Sequence, residues 1–537
     1  MSTARMLSAT LIALLLAGCG GDTETLIPPA PGPFKGIHGL TFDNEGRLLV
    51  GSVVGRAIYE VDTVSGAVVE FIGLPHGMAD DLEQGPDGTL VWTAILEGRA
   101  YARGPDDEIR VIAENLPGMN SVAWNSEGRL FATQVFDGDA LWELDPTGET
   151  KPRLILSDLG GLNGFDFAPD GRLYGPLWFK KQVVSIDVDT GDMRIVADGF
   201  GIPAAVNFDS KGTLYAVDTQ RGEVLIVDIE SGEKTLFASV DPAIDNLAIA
   251  PDDSVYISNM ADNAILHIWP DNGEVKTITS HPLSVAADVA LVPGEGGEPD
   301  QIYVAGVFSL TRINALDKTV EQIASVFGNE IEYPMHIDYG DGMLMLSSWS
   351  SGTIQMLDAK THESAGLFHD MGAPHSGVVV SPQEVLYVDL LRGALVRFNP
   401  EQPDEREDLL SVQGLTAVES GTQPGEYFLL IEGDIQKWVE EGNSFEVLVS
   451  DLNNPEGLTL GLDGKLYVAE IGSRRIVSLP ADGSGPIREV AAGLNIGFPA
   501  PGGIPPSYIP TGIAADAQGR VYYTSDVDTA LYRVTPE

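Results

Sequence analysis

The stretch GLNGFDFAPDGRLYGPLWFKKQVVSIDVDTG, Gly161 to Gly191, holds three short apolar runs divided by turn residues, and its pattern returns along almost the whole chain. With Gly171 of PDGRLYG as a ruler, the equivalent glycines upstream are Gly46 (NEGRLLV), Gly88 (PDGTLVW) and Gly128 (SEGRLFA), and downstream Gly212 (SKGTLYA), at spacings of 42, 40, 43 and 41. The pattern then weakens but persists at Asp253, Asp300, Gly342, Glu384, Gly425, Gly464 and Gly519. That makes twelve units of about 41 residues, a period that marks a repeat architecture.

Within one unit, GFDFAPDGRLYG alternates apolar and polar residues at period two on either side of an Asp-Gly pair, a hairpin signal. VVSIDVDTGDMRIVA repeats the same logic around Asp189, Thr190 and Gly191. Four strands of about 5–6 residues with their turns fill such a unit. No helical apolar period is sustained anywhere beyond the N-terminus. The expectation is an all-β chain of four-stranded blades. Because single propellers carry about 4–8 blades, twelve units imply two tandem six-bladed β-propellers. The insertion VPGEGGEPDQ (Val292 to Gln301) interrupts the seventh unit, so the first ring is assigned to 34–276 and the second to 277–537.

The N-terminus, MSTARMLSATLIALLLAGC, has one arginine, an apolar run too short to span a bilayer, and LAGC ending at Cys19. Residues 1–18 are expected to be an export signal. LAGC resembles the bacterial lipobox, which implies lipidation of Cys19, the chain's single cysteine, and attachment to the cell envelope. Gly20 in place of Asp implies the outer membrane, facing the periplasm or the cell surface. Residues 19–33, with their prolines, read as a stiff tether. The formal net charge of −48 argues against nucleic acid or anionic lipid surfaces as partners, since both need a basic footprint.

In a propeller the loop leading into each innermost strand opens at the mouth of the central channel, so one register position converges on one axis. Eight residues before the ruler, the first ring places His38, Asp80, Asn120, Asn163, Ala204 and Asp245. Asp and Asn oxygens around an axis suit calcium, or another hard divalent cation; the same residues also form turns before strands. In the second ring the position holds Asp288, Met335, Ser376, Ala417, Glu456 and Thr511, with only Asp288 and Glu456 as good hard ligands. His336 and His375 stand beside it.

ADDLEQGPDG (Ala79 to Gly88), GLNGFDFAPDGRLYG and AIDNLAIAPDD (Ala243 to Asp253) resemble the calcium-dependent six-bladed propellers of the gluconolactonase and regucalcin family, with paraoxonase as a more distant relative. The resemblance covers the first ring. It implies a calcium ion in the channel and hydrolysis of a lactone or related ester. Carried onto this chain, it implies metal ligands Asp80, Asn163 and Asp245 with Asn246 beside it, Asp81 as a second, structural ligand, and Asn120 as a substitute where Ala204 departs from the family's Asn. His38 and His76 are the candidate general bases. MGAPHSGVVVS and VSGAVVEFIGLPHGM also resemble the virginiamycin B lyase type, which implies metal-dependent elimination instead. A non-catalytic surface lipoprotein that binds a protein or a saccharide is the other class, and fold does not choose among the three.

Overall fold

The computed structural model describes residues 22–32, 34–501 and 508–536, so residues 1–18 and Cys19 lie outside it. The described chain folds into twelve four-stranded antiparallel sheets, with two single-turn 3-10 helices (Ile95–Glu97 and Ile471–Ser473) as its helical elements. The fourth sheet shows why. Its first hairpin pairs Asp166 with Tyr174 and Phe167 with Leu173, and turns at Asp170-Gly171, where Gly171 takes φ +83°. Its outer hairpin turns at Gly191, φ +75°, with the N–H groups of Asp189 and Thr190 held by the Asp187 carboxylate. Residues with a side chain would be strained in that left-handed region, and so the ruler glycines recur.

Blades 1 to 6 span 37–279 and blades 7 to 11 span 288–492. The twelfth takes three strands from 513–535 and its outermost from the N-terminus, where Asp22–Ile27 pairs antiparallel with Ala530–Thr535. Residues 22–27 are therefore a strand and not part of a tether. Their partner lies 500 residues away, so no local pattern announces it. The expected ring boundary at residue 276 falls inside the outer strand of blade 6 (Val275–Thr279), and the true connection is 280–287, between that strand and Asp288–Val292.

The core sits between blades. Leu49, Ile58, Trp92 and Tyr101 join blades 1 and 2, and Phe131, Leu141, Leu173 and Val184 join blades 3 and 4. Blade 6 returns to blade 1 through Ala248, Tyr256, Leu40 and Val50, closing the first ring by side-chain contacts with no shared strand among the described residues. The second ring closes by hydrogen bonds through the borrowed strand, whose Leu26 and Ile27 are buried against Ile302, Tyr522 and Leu531.

The two rings touch at their loops. Val54, Ala243 and Met260 of the first ring share one apolar cluster with Phe308, Val326 and Tyr508 of the second. Lys35, 1% exposed, donates to the carbonyls of Asp526 (2.8 Å) and Val527 (2.7 Å), and Asn263 Nδ2 donates to the carbonyl of Phe34. Phe308 lies edge-on to His38, 5.5 Å between ring centroids. The second ring thus reaches the channel mouth of the first.

Candidate functional site

Strand geometry brings most of the expected residues together. Each inner strand begins at the mouth and runs inward, so its first residues face the axis. His38 and Asp245 belong to inner strands Ile37–Phe42 and Ile244–Ile249, Asn120 to Met119–Trp124, and Asp80 and Asn163 to the residues just before their strands. His38 Nδ1 lies 3.2 Å from an Asp245 carboxylate oxygen and 3.8 Å from one of Asp80. Asn120 Nδ2 donates to Asp80 (2.7 Å), and Ser121 Oγ bridges the amide oxygens of Asn120 (2.8 Å) and Asn163 (3.1 Å). The side chains of His38 and Asp80 are each 13% exposed, and His38 Nε2 is buried without a protein partner.

Electrostatics follow from this crowding. Burial pushes the Asp80 carboxyl up to about 8; the His38 charge opposes the shift, and the charges of Asp245 and Asp81 add to it. Burial works against a charged His38, but the hydrogen bond to Asp245 and the charges of Asp245 and Asp80 outweigh it, so its pKa is raised. The imidazole stands between the two acids.

Asp81 and Asn246 form a layer further in. Asn246 Nδ2 donates to Asp81 (3.0 Å), and the same carboxylate accepts the N–H groups of Leu82 and Val122. Burial lifts Asp81 to about 7. His76 is not brought to the mouth: it is exposed, its ring lies against Tyr101, and its carbonyl accepts Trp92 Nε1. That removes it as a base at this site. Ala204 packs in the apolar cluster of blades 5 and 6, and its blade gives the mouth no oxygen from this position.

Does the set fit a divalent cation? Among the described residues no three His, Cys, Asp or Glu side chains stand together in metal-holding geometry, so a site here has to draw on the amide oxygens of Asn120 and Asn163. Two carboxylates and two amide oxygens are the hard donors calcium takes. By donor chemistry they fit.

A set of carboxylates lines the channels below, of which the register position revealed Asp288 and Glu456 alone. The carboxylates of Glu83 and Asp166 accept the N–H of Trp124 (2.8 Å) and Phe208 (2.9 Å), each in the next blade. In the second ring Asp288, Asp338, Glu419 and Glu456 do the same for Ile337, Val379, Leu460 and Thr511. These carboxylates tie blade to blade. Their signal was present: an acid at an inward position of an otherwise apolar alternation.

Residues 86–305 match the family model described as SMP-30/Gluconolactonase/LRE-like region. The match is a likeness to that family from within blade 2 to the start of blade 7; it takes in Asn120, Asn163 and Asp245 but begins after His38 and Asp80, and it covers less than half of the chain. No curated protein matches the sequence. Among solved structures, a gluconolactonase from Xanthomonas campestris is 16% identical and covers 44% of this chain and 86% of its own, with a TM-score of 0.37. A virginiamycin B lyase from Staphylococcus aureus is 13% identical and covers 61% of this chain and 96% of its own, with a TM-score of 0.24.

Proposed function

We propose that the first ring is a divalent-cation-dependent hydrolase of lactones or related esters, with calcium as its cation. The observation that carries this reading is the convergence of His38, Asp80, Asn120, Asn163 and Asp245, from five blades, at one channel mouth. Asp80, Asp245, Asn120 and Asn163 would hold the cation. When bound, such an ion polarises a carbonyl oxygen and lowers the pKa of water.

The chain's own part follows from its geometry. With its Nδ1–H donated to Asp245, His38 presents the Nε2 lone pair inward and takes a proton from the attacking water. As the ester C–O bond breaks, the same nitrogen returns that proton to the departing alkoxide. Asp245 fixes the tautomer. Phe308, packed edge-on against His38 and itself against Tyr333 at 6.0 Å, walls the mouth and restricts solvent.

The test is calcium-dependent opening of δ-gluconolactone and dihydrocoumarin by the full chain in detergent micelles. The expected result is activity abolished by a chelator, restored by calcium, and lowered by at least 100-fold, in the range of general-base contributions, in His38→Gln. Calcium-independent activity, or none on either substrate, would favour the second reading. In that reading the ring is a non-catalytic module that binds a protein or a saccharide. The loss of an oxygen donor at Ala204 supports it.

We also propose that Cys19 is lipidated and anchors the protein to the cell envelope, at the outer membrane. The LAGC motif supports this. Since a strand begins at Asp22, the anchor would hold blade 12 close to the bilayer rather than on a long tether.

A further inference from the structure

The second ring has a channel of its own, with a cavity of about 250 Å³ against about 60 Å³ in the channel of the first. One water occupies about 30 Å³ in the liquid, so the larger cavity admits a small molecule.

Its walls are rich in acceptors. Asp338 and Glu419 line it, from blades 8 and 10, each accepting a backbone N–H of the next blade; Glu419 also accepts the N–H of Ser420 on its other oxygen (2.6 Å). His375, 4% exposed, also lines it. Its Nδ1 faces the carbonyl of Thr416 at 3.2 Å, which fixes the proton there and leaves Nε2 as a lone-pair acceptor, buried without a protein partner. Ser376 Oγ is already engaged with the N–H and carbonyl of Val418.

Positive charge is scarce. No Lys or Arg is among the described residues lining the cavity, and its His336 is paired with Asp288. The cavity therefore has more acidic than basic groups, and an unused acceptor. A bare metal ion suits it less than it suits the first mouth, because no three His, Cys, Asp or Glu groups of the described residues converge in metal-holding geometry and no described Asn or Gln lines the cavity to supply amide oxygens. What suits spaced acceptors is an extended cation with several N–H donors.

We propose that the channel of the second ring binds a small organic cation, a primary amine or guanidinium compound, through Asp338, Glu419 and Nε2 of His375. The titration behaviour agrees. Burial pushes Glu419 up to about 8 with the charge of Asp338 adding, and burial lifts Asp338 to about 6. Burial and the charge of neighbouring His336, its ring 6.4 Å away, lower His375 to about 4 and keep it neutral. A cation in the cavity would favour ionisation of both carboxyls and donate an N–H to the His375 Nε2 lone pair.

The site is independent of hydrolysis in the first ring, and its test reads binding alone. Putrescine and agmatine are titrated calorimetrically into the full chain, with glucose as a neutral polyol and calcium as a competitor. The account expects binding of an amine or guanidinium at one site, weakened at least tenfold in Glu419→Gln and in His375→Gln and unchanged in Asp166→Asn of the first-ring channel. Glu419→Gln keeps an oxygen for the Leu460 N–H that ties the blades and gives up the acceptor for Ser420 N–H; thermal unfolding of each variant verifies that it is folded. No binding at millimolar concentration, equal binding of glucose, displacement by calcium, or affinity indifferent to both substitutions would each overturn the proposal.

Discussion

Asp166 shows how a single side chain serves the ring. Its two oxygens accept the N–H groups of Phe167 (2.7 Å) and Phe208 (2.9 Å), so removing them leaves two backbone donors unpaired. Asp166→Ala is expected to cost about 1–3 kcal/mol for each donor stranded in a buried setting. Asp166→Asn keeps an acceptor and loses the charge. Burial raises the Asp166 carboxyl to about 6, so the stability this carboxyl contributes is full below its unfolded value and lost as pH rises through about 6. The Asn variant should match the native protein near pH 4 and gain on it above pH 6. Thermal unfolding across that range checks both; a gain at low pH instead would contradict the assignment. These ties also show what the sequence hid. Glu83, Asp166 and Asp338 stand three residues beyond the register positions Asp80, Asn163 and Met335, and counting one position per unit passes over them. His38, Asp80, Asn120, Asn163 and Asp245 were legible because each unit repeats the loop that delivers them. His76 misled because it lies near Asp80 in sequence, while its loop turns it outward.

The hairpin is the element on which the reading succeeded. An Asp-Gly between alternating runs fixes turn and register together, and the twelve sheets follow. The strand Asp22–Ile27 is the element on which it failed: its short run is half exposed, the prolines that follow it at 28 and 29 suggest a linker, and its partner is the far end of the chain. A chain lacking residues up to Ile27 should lose the burial of Leu26 and Ile27, about 1.5–3 kcal/mol for each large apolar side chain, and expose Ala530–Thr535 as a bare edge prone to pairing between molecules. The expected outcome is a lower unfolding temperature with concentration-dependent association by light scattering. An unchanged melting temperature and a monomer would show that the borrowed strand does not close the ring.

At the scale of the molecule, period and length imply two rings, but nothing periodic reports how they meet. That is settled by isolated residues: Lys35 donating to Asp526 and Val527, Phe308 against His38, and Tyr508 packed with Val54. The meeting changes the chemistry expected of the first ring, since its mouth is walled by residues from another domain. The net charge of −48 leaves an acidic molecule in which two channels bury further carboxylates. Counter-charge from bound cations is the simplest way to hold that many acids together. The central claim is that one such cation sits at the mouth of the first ring, and calorimetric titration of calcium into the chelator-treated full chain tests it most directly. The account predicts one site at micromolar affinity or tighter, lost in both Asp80→Ala and Asp245→Ala; no binding, or binding indifferent to both substitutions, would contradict it.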